Sequence, residues 1–265
     1  MERPMDGARA NRIFRIILCA YIVWGGIYIY RTSFVVSGVR YFSLFDDAMV
    51  SMRYASNFVH GYGLVYNPGG ERIEGFTNPL WVAYMAVLHL LPIAISKISL
   101  LIQLTGLALM CCNLFFVRRI AREIWNSDEI ALGAVLLTAF YLPLNLWALE
   151  GMEVSLLTAI LSYCVLRQLE ASKFQKIDWI GLVLLAASTL VRLDMAFTFI
   201  GLISFLALTN PQTSRRLIAG SIVLLLIFVG AQSWLRYSYY GDLLPNTYYL
   251  KMTGISLVTS LFFSC

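Results

Sequence analysis

Uncharged runs as long as Ala131–Leu149 and Leu217–Leu235 recur along this chain. A helix needs about 20 apolar residues to cross a hydrocarbon core of about 30 Å, and these runs approach that length. A soluble domain has too little interior to bury so many of them. The composition agrees, with 59% of residues hydrophobic and 13% charged, against about a quarter charged in soluble domains. Tyrosines gather where the last long run ends, at Tyr237, Tyr239, Tyr240, Tyr248 and Tyr249, and such amphipathic rings favour the membrane interface. The chain is therefore expected to be all-α: one polytopic transmembrane helical bundle over residues 1–265, with about seven to nine spans.

The net charge of +5 does not point to nucleic acid, because the basic residues form no continuous patch. They fall in short clusters between apolar runs: Arg3, Arg9, Arg12 and Arg15; Arg118, Arg119 and Arg122; Lys173 and Lys176; Arg215 and Arg216. That is the pattern of cytoplasmic loops. Cys19, Cys111, Cys112 and Cys164 lie inside apolar runs, Cys265 ends the chain, and there is no CxxC spacing. Neither disulfides nor structural zinc are expected. The first run, Ile13–Tyr30, follows a basic stretch without a small-residue cleavage site and reads as an anchor.

The further runs are Pro79–Leu91, Ile98–Val117, Ile130–Leu149, Val154–Leu166, Trp179–Val191, Met195–Leu208, Leu217–Leu235 and a weak Ile255–Phe263. Pro79–Leu91 is too short to span, and counting it would move Arg118 and Arg119 to the outer side. A half-span or interfacial helix is expected there. With the basic clusters inside, the segments around Glu150, around Arg192 and over Tyr237–Lys251 share the outer side with one long polar loop, Arg31–Asn78. Within that loop Ala48, Met52, Ala55 and Val59 fall on one helical face. The pattern predicts a surface helix over Asp47–His60, capped by Asp46 or Asp47 and stopped by Gly61.

Candidate chemistry lies in the same outer segments. Asp46 and Asp47 fit a helix start. They equally fit a divalent-cation site, for Mg or Mn, or a general base with its orienting partner. Between Gly61 and Trp81, the Gly and Asn-Pro steps dictate turns. Glu71, Arg72 and Glu74 among aromatics also make the mixture a sugar phosphate requires. Glu150 and Glu153 fit water-facing rim residues or site carboxylates. Arg192 and Asp194 mark a tight outer turn or a polar cavity, and a helix-face ion pair is not expected at their spacing. Tyr248, Tyr249 and Lys251 fit an interface belt or a phosphate contact.

Several motifs resemble one family. Asp46-Asp47-Ala48, Met52-Arg53-Tyr54-Ala55, Gly61–Pro68 and Glu74-Gly-Phe-Thr-Asn-Pro-Leu-Trp81 are similar to the first periplasmic loop of GT-C glycosyltransferases. They look most like the bacterial terminal β-(1→2)-arabinofuranosyltransferase branch. Leu149–Glu153 and Tyr240–Lys251 match the later pattern, so the resemblance follows nearly the whole chain in order. It implies a multi-pass protein of the bacterial inner membrane, with a GT-C-like domain and residues 31–78 as a periplasmic catalytic loop with short interfacial helices. It also implies inverting transfer of a sugar, arabinofuranose or another pentose or hexose. The donor would be a polyprenyl-phosphate sugar and the acceptor a cell-envelope glycan or glycolipid, among membrane lipids and without nucleic acid.

Carried over residue by residue, the resemblance makes Asp46 or Asp47 the base, with a divalent cation where one is used. Arg53, Arg72, Arg192 or Lys251 would neutralise the leaving phosphate. Tyr54, Asn67, Glu71, Glu74, Thr77, Asn78, Trp81, Glu150, Glu153, Asp194, Asn246, Tyr248 and Tyr249 would line the substrate. Family members continue with more spans and a soluble C-terminal domain, so a truncated member is expected. The rival readings are a multi-pass transporter or channel, and an inactive scaffold. Against transport, the two halves show no internal repeat and the polar residues concentrate on one face.

Overall fold

The computed structural model describes residues 6–174, 176–209, 211–212 and 214–252, without the side chains of 250–252. The expected run 255–263 lies outside the described residues. The helices are α1 (Gly7–Arg31), α2 (Asp46–Val59), α3 (Pro79–His89), α4 (Ile95–Trp125), α5 (Asp128–Ala139) and α6 (Leu142–Leu149). They continue with α7 (Val154–Ser172), α8 (Trp179–Ala187, extended by a 3-10 turn to Leu190), α9 (Met195–Thr209), α10 (Ser214–Tyr240) and α11 (Asn246–Met252). A small antiparallel hairpin, β1 (Phe34–Val36) with β2 (Val39–Tyr41), lies between α1 and α2.

Among the described residues, four helices, α1, α4, α7 and α10, are long and apolar enough to cross a membrane. The bent pair α5–α6 gives a fifth if it forms one broken span. The chain is a helical membrane protein. The larger number expected from sequence includes Trp179–Val191 and Met195–Leu208, which form the shorter apolar helices α8 and α9.

The 55° bend between α5 and α6 has a local cause. Pro143 lacks an N–H, so carbonyls in the break lose helical partners. The buried Asn145 repairs this by donating Nδ2 to the Ala139 and Tyr141 carbonyl oxygens, both at 2.9 Å. Its Oδ1 accepts from the Tyr21 hydroxyl at 2.7 Å, which fixes the break against α1.

The basic residues collect at one end of the bundle. Arg118 donates to Asn11 Oδ1 at 2.7 Å, Arg122 pairs with Asp128 at 3.2 Å and Arg167 with Asp178 at 2.9 Å. Arg119 also meets Glu170, and Lys173 meets Glu123. These contacts place the start of α1, the end of α4, the start of α5, the end of α7 and the start of α8 together. The polar loop gathers at the opposite end, called here the loop end.

Helix α3 does not cross the bundle. Asn78, just before it, bonds Glu153 at the start of α7, while Lys97, just after it, donates to the Arg40 carbonyl oxygen at 3.1 Å. Both of its ends therefore belong to the loop end. Trp81, Val82 and Met85 pack with Ala48, Met52 and Ala55 of α2 in one apolar cluster. At 11 residues α3 is an apolar helix too short to span.

Helix α2 starts one residue earlier than expected, and its cap differs. The N-cap is Phe45, whose side chain makes no capping bond. Asp46 and Asp47 occupy the first turn, where the helix dipole favours carboxylates. Phe45 N–H donates to the Glu150 carbonyl oxygen at 2.9 Å, anchoring the entry to α2 on the α6–α7 connection. Gly61, with φ of 82°, stops the helix as expected. The hairpin was not foreseen: it is only three residues per strand, too short for a period-two signal.

Close packing of α4 on α6 depends on Gly106. A Cβ there would lie 2.2 Å from the Ala148 carbonyl oxygen, a backbone atom that cannot swing aside. Gly106→Ala is expected to destabilise the bundle by about 1–3 kcal/mol, as overpacking does. Gly133→Ala, which meets nothing within 4 Å, is the control. Thermal melting in detergent checks this: equal midpoints for the two variants would refute the close approach.

Candidate functional site

At the loop end a cavity of about 390 Å³ opens between α2, the segment before α3, the α6–α7 connection, the turn before α9, and α10. Its polar lining includes Asp47, Ser51, Thr77, Asn78, Glu153, Arg192, Asp194, Arg236 and Tyr248.

The centre of the lining is Glu153, whose side chain is 1% exposed. Its Oε2 accepts from Asn78 Nδ2 at 2.8 Å, and its Oε1 accepts from Arg192 Nη1 at 3.2 Å. Asn78 Oδ1 in turn accepts from Ser51 Oγ at 2.9 Å. Three distant stretches, α2, the segment before α3 and the turn before α9, are thus held on one carboxylate. Glu153 is not the water-facing rim residue that its position after Gly151 allows.

Arg192 also donates Nε and Nη2 to Asp194, the shortest contact being 2.8 Å. The two residues pair in the turn between the 3-10 segment and α9, not on a helix face, which agrees with the spacing argument. Hydrogen bonding to Asp194, helped by the Glu153 charge, holds the Arg192 guanidinium above its ordinary range despite burial. The Asp194 side chain is 54% exposed, so this pair borders water.

Glu74 and Arg236 form the second pair, and both are buried. Arg236 Nε and Nη2 donate to the two carboxylate oxygens, and Nη1 donates to the Leu243 carbonyl oxygen at 3.2 Å. Burial pushes the Glu74 carboxyl above the usual carboxylate range, while Arg236 pulls it back. Asn246 N–H donates to the Glu74 carbonyl oxygen at 3.2 Å, so the start of α11 rests on the first loop.

Of the two adjacent acids, only Asp47 lines the cavity. Asp46 turns its Oδ1 to the Asp47 N–H at 2.9 Å. Among the described residues, nothing hydrogen-bonds or ion-pairs with the Asp47 carboxylate. No group of three or more His, Cys, Asp or Glu is placed among them to hold a metal ion. One open carboxylate falls well short of the about six oxygens that a divalent cation takes, unless substrate and water supply the rest.

Several sequence candidates have other work. Arg53 Nε donates to the Tyr66 carbonyl oxygen at 3.2 Å, and Arg72 lies over the Tyr239 ring at 5.0 Å; neither lines the cavity. Tyr54 is buried, donating to the Ile73 carbonyl oxygen at 2.7 Å and accepting from Gly75 N–H at 3.0 Å. Trp81 Nε1 donates to the Gly151 carbonyl oxygen at 3.0 Å. Asn67 and Glu71 are exposed and close turns through their carbonyl oxygens, to Gly70 and Ile73 N–H. Glu150 accepts from the Tyr28 hydroxyl. Tyr249 stacks edge-on to Tyr248, which is the one of the two that lines the cavity. The side chain of Lys251 lies outside the described residues.

Arg236 is the cavity residue that sequence reasoning missed. It hides between Leu235 and Tyr237 at the end of an apolar run, where an intramembrane charge signals a buried partner. Ser51, off the apolar face of α2, and Thr247 and Met152 also line the cavity and carried no distinguishing signal.

Beside the polar cavity lies an apolar cleft of about 420 Å³ between the first loop, α3 and α10. Leu64, Leu80, Ala83, Leu190 and Leu235 line it, and Phe76 and Arg236 belong to both spaces. Tyr239 and Tyr240 close it by gripping one residue: Leu64 N–H donates to Tyr239 Oη at 2.9 Å, and Tyr240 Oη donates to the Leu64 carbonyl oxygen at 3.0 Å.

Arg236→Met is expected to destabilise the fold by about 3–5 kcal/mol, because it strands the buried Glu74 charge. The double variant Glu74→Leu with Arg236→Met should recover most of that loss. Melting of the two forms checks this, and a double variant no better than the single would show that the pair is not isolated as described. Comparison with known proteins adds no neighbour: no protein-family model, curated protein or solved structure matches this chain.

Proposed function

We propose that this chain is an inverting glycosyltransferase that takes a sugar from a polyprenyl-phosphate donor. The observation that carries the reading is the pairing of spaces at the loop end. A polar cavity holds one open carboxylate and two guanidiniums, and it shares Phe76 and Arg236 with an apolar cleft. A substrate that is sugar and phosphate at one end and hydrocarbon at the other fits both at once. The motif resemblance of the first loop names the same class.

In the reaction, an acceptor hydroxyl oxygen attacks the anomeric carbon of the donor. The bond from that carbon to the phosphate oxygen breaks with inversion. Asp47 takes the hydroxyl proton, and the bonding pair leaves on the polyprenyl phosphate. The phosphate is already an acceptable anion, so positioning and charge neutralisation do most of the work. Arg192 is the cation best able to reach it, because its bond to the exposed Asp194 exchanges at little cost. Its bond to Glu153 keeps the guanidinium in place meanwhile. Arg236, locked to Glu74, contributes a fixed positive field at the border of cavity and cleft. No step needs a divalent cation; where Mg or Mn takes part, Asp47 is the protein ligand that faces it. The acceptor is a cell-envelope glycan or glycolipid.

Transfer assays in lipid nanodiscs, with polyprenyl-phosphate arabinofuranose and polyprenyl-phosphate hexoses as donors, test the roles of the two acids. Asp47→Asn should lower turnover by about a hundredfold to ten-thousandfold, as loss of a general base does, without changing the melting temperature. Asp46→Asn should stay within a few-fold of the parent. Equal activity of Asp47→Asn and parent would remove Asp47 from the chemistry, and no turnover of any such donor by the parent would remove the reading.

The same reading places the loop end in the periplasm and the basic end in the cytoplasm of a bacterial inner membrane. The arginine-rich end is the one retained inside. With the native cysteines replaced, Ser43→Cys at the loop end should react with an impermeant thiol reagent in intact spheroplasts. Ser172→Cys, exposed at the basic end, should react only after lysis. The reverse pattern overturns the orientation.

A further inference from the structure

The hairpin between α1 and α2 takes no part in the cavity, and its surface does not suit water. Pairing of Phe34 with Tyr41 and of Val36 with Val39 puts these four side chains on one face. They are 50%, 38%, 50% and 43% exposed, in that order, so the whole face lacks cover. Phe34 and Tyr41 stack at 6.1 Å, which keeps the face flat. Ser37 and Gly38, with φ of 48° and 78°, make the tight turn that suits a two-residue hairpin.

The other face carries Val35 and Arg40, and Arg40 is drawn back to the bundle. Its Nη1 donates to Ser33 Oγ at 2.7 Å and its guanidinium lies over the Tyr30 ring at 4.5 Å. Lys97 of α4 donates to the Arg40 carbonyl oxygen and lies 5.0 Å over the Phe42 ring. The hairpin is thus fixed to the loop-end termini of two helices long enough to span a membrane. On α1, Ile27 and Tyr30 near the same end are also exposed. Residues 31–45 include Arg31 and Arg40 and no acidic residue.

We infer that the hairpin is a membrane-contact element whose Phe34, Val36, Val39 and Tyr41 face enters the headgroup–acyl boundary of the leaflet at the loop end. A lone two-stranded hairpin is marginal in water, and the bilayer supplies the cover that its apolar face lacks. The interfacial depth is set by the backbone. Each strand has only one neighbour, so its outer edge turns N–H and C=O groups away from the ladder, which suits headgroups and water but not the hydrocarbon centre. Arg31, Arg40 and Lys97 form a basic collar for the phosphates of anionic lipids. This inference is independent of the glycosyltransferase reading, since it concerns residues outside the cavity.

Spin labels on single cysteines decide it, in the full chain with its native cysteines replaced, in vesicles of phosphatidylethanolamine and phosphatidylglycerol. Labels at Val36 and Val39 should collide several-fold more with oxygen than with a water-soluble nickel chelate. A label at Glu71, an exposed loop residue, should show the opposite preference. Equal nickel access at 36, 39 and 71 would put the hairpin in water and overturn the inference. Shielding of 36 and 39 from both reagents would overturn it too, by showing a protein partner on that face.

Discussion

A carboxylate that is 1% exposed at the edge of a membrane bundle must be matched from all sides, and Glu153 is matched by Asn78 and Arg192. Removing an ionised carboxylate from water costs several kcal/mol unless hydrogen bonds and an opposite charge replace the lost hydration. The replacements here come from parts of the chain far apart in sequence. The polar loop supplies Asn78, and through it Ser51 of α2; the turn before α9 supplies Arg192. Without these partners the start of α7 would have to move toward water, and the cavity wall would go with it. The position of Asp47 is a consequence, because Ser51 lies one helical turn beyond it and bonds its carbonyl oxygen at 3.2 Å.

The two arginines of the cavity differ in how firmly they are held, and the difference follows from burial. Arg236 and Glu74 are 3% and 5% exposed as side chains, so their mutual attraction is weakly screened and neither partner has water as an alternative. Arg192 joins one buried carboxylate and one exposed one. Water competes for Asp194, so that contact is weak and replaceable. On the proposed reading, a site that must admit and release an anion needs this asymmetry: one fixed cation, and one whose outer contact can be traded for the ligand while Glu153 holds it in place.

The sequence exposed the class of the fold through length and charge alone, since a span needs only about 20 apolar residues and a basic cluster at one end. It also exposed α2, whose apolar positions repeat with helical period, and the shortness of the apolar run that forms α3. What it hid were pairings. Glu74 in the loop carries no mark that its partner is Arg236. Glu153, two residues past a glycine turn, reads as a rim residue until Asn78 and Arg192 close over it. Asp46 and Asp47 look equivalent in sequence, yet the helix start turns one to the backbone and the other to the cavity. The hairpin escaped because three residues per strand are too few to show alternation. Such features arise from contacts between distant segments, and no local pattern encodes them.

Both ends of the bundle carry charge, but they use it differently. At the basic end, the outer ion pairs have exposed cations: the side chains of Arg119 and Lys173 are 62% and 56% exposed. Contacts of that kind add little stability and leave the cations free to meet phosphates or water. At the loop end, the carboxylates Glu74 and Glu153 are buried and fully engaged; Arg236 is buried with Glu74, while Arg192 keeps one outer contact, to Asp194, that borders water. Phe76, Met152 and Pro245 add apolar surface to the cavity wall. Lower polarity strengthens the field that the guanidiniums impose on whatever enters. The apolar cleft alongside extends that apolar surface toward α3 and α10. On the proposed reading, a charged group tethered to a long hydrocarbon stays in contact with both, and the aliphatic part need not cross water to bring the polar part to Asp47.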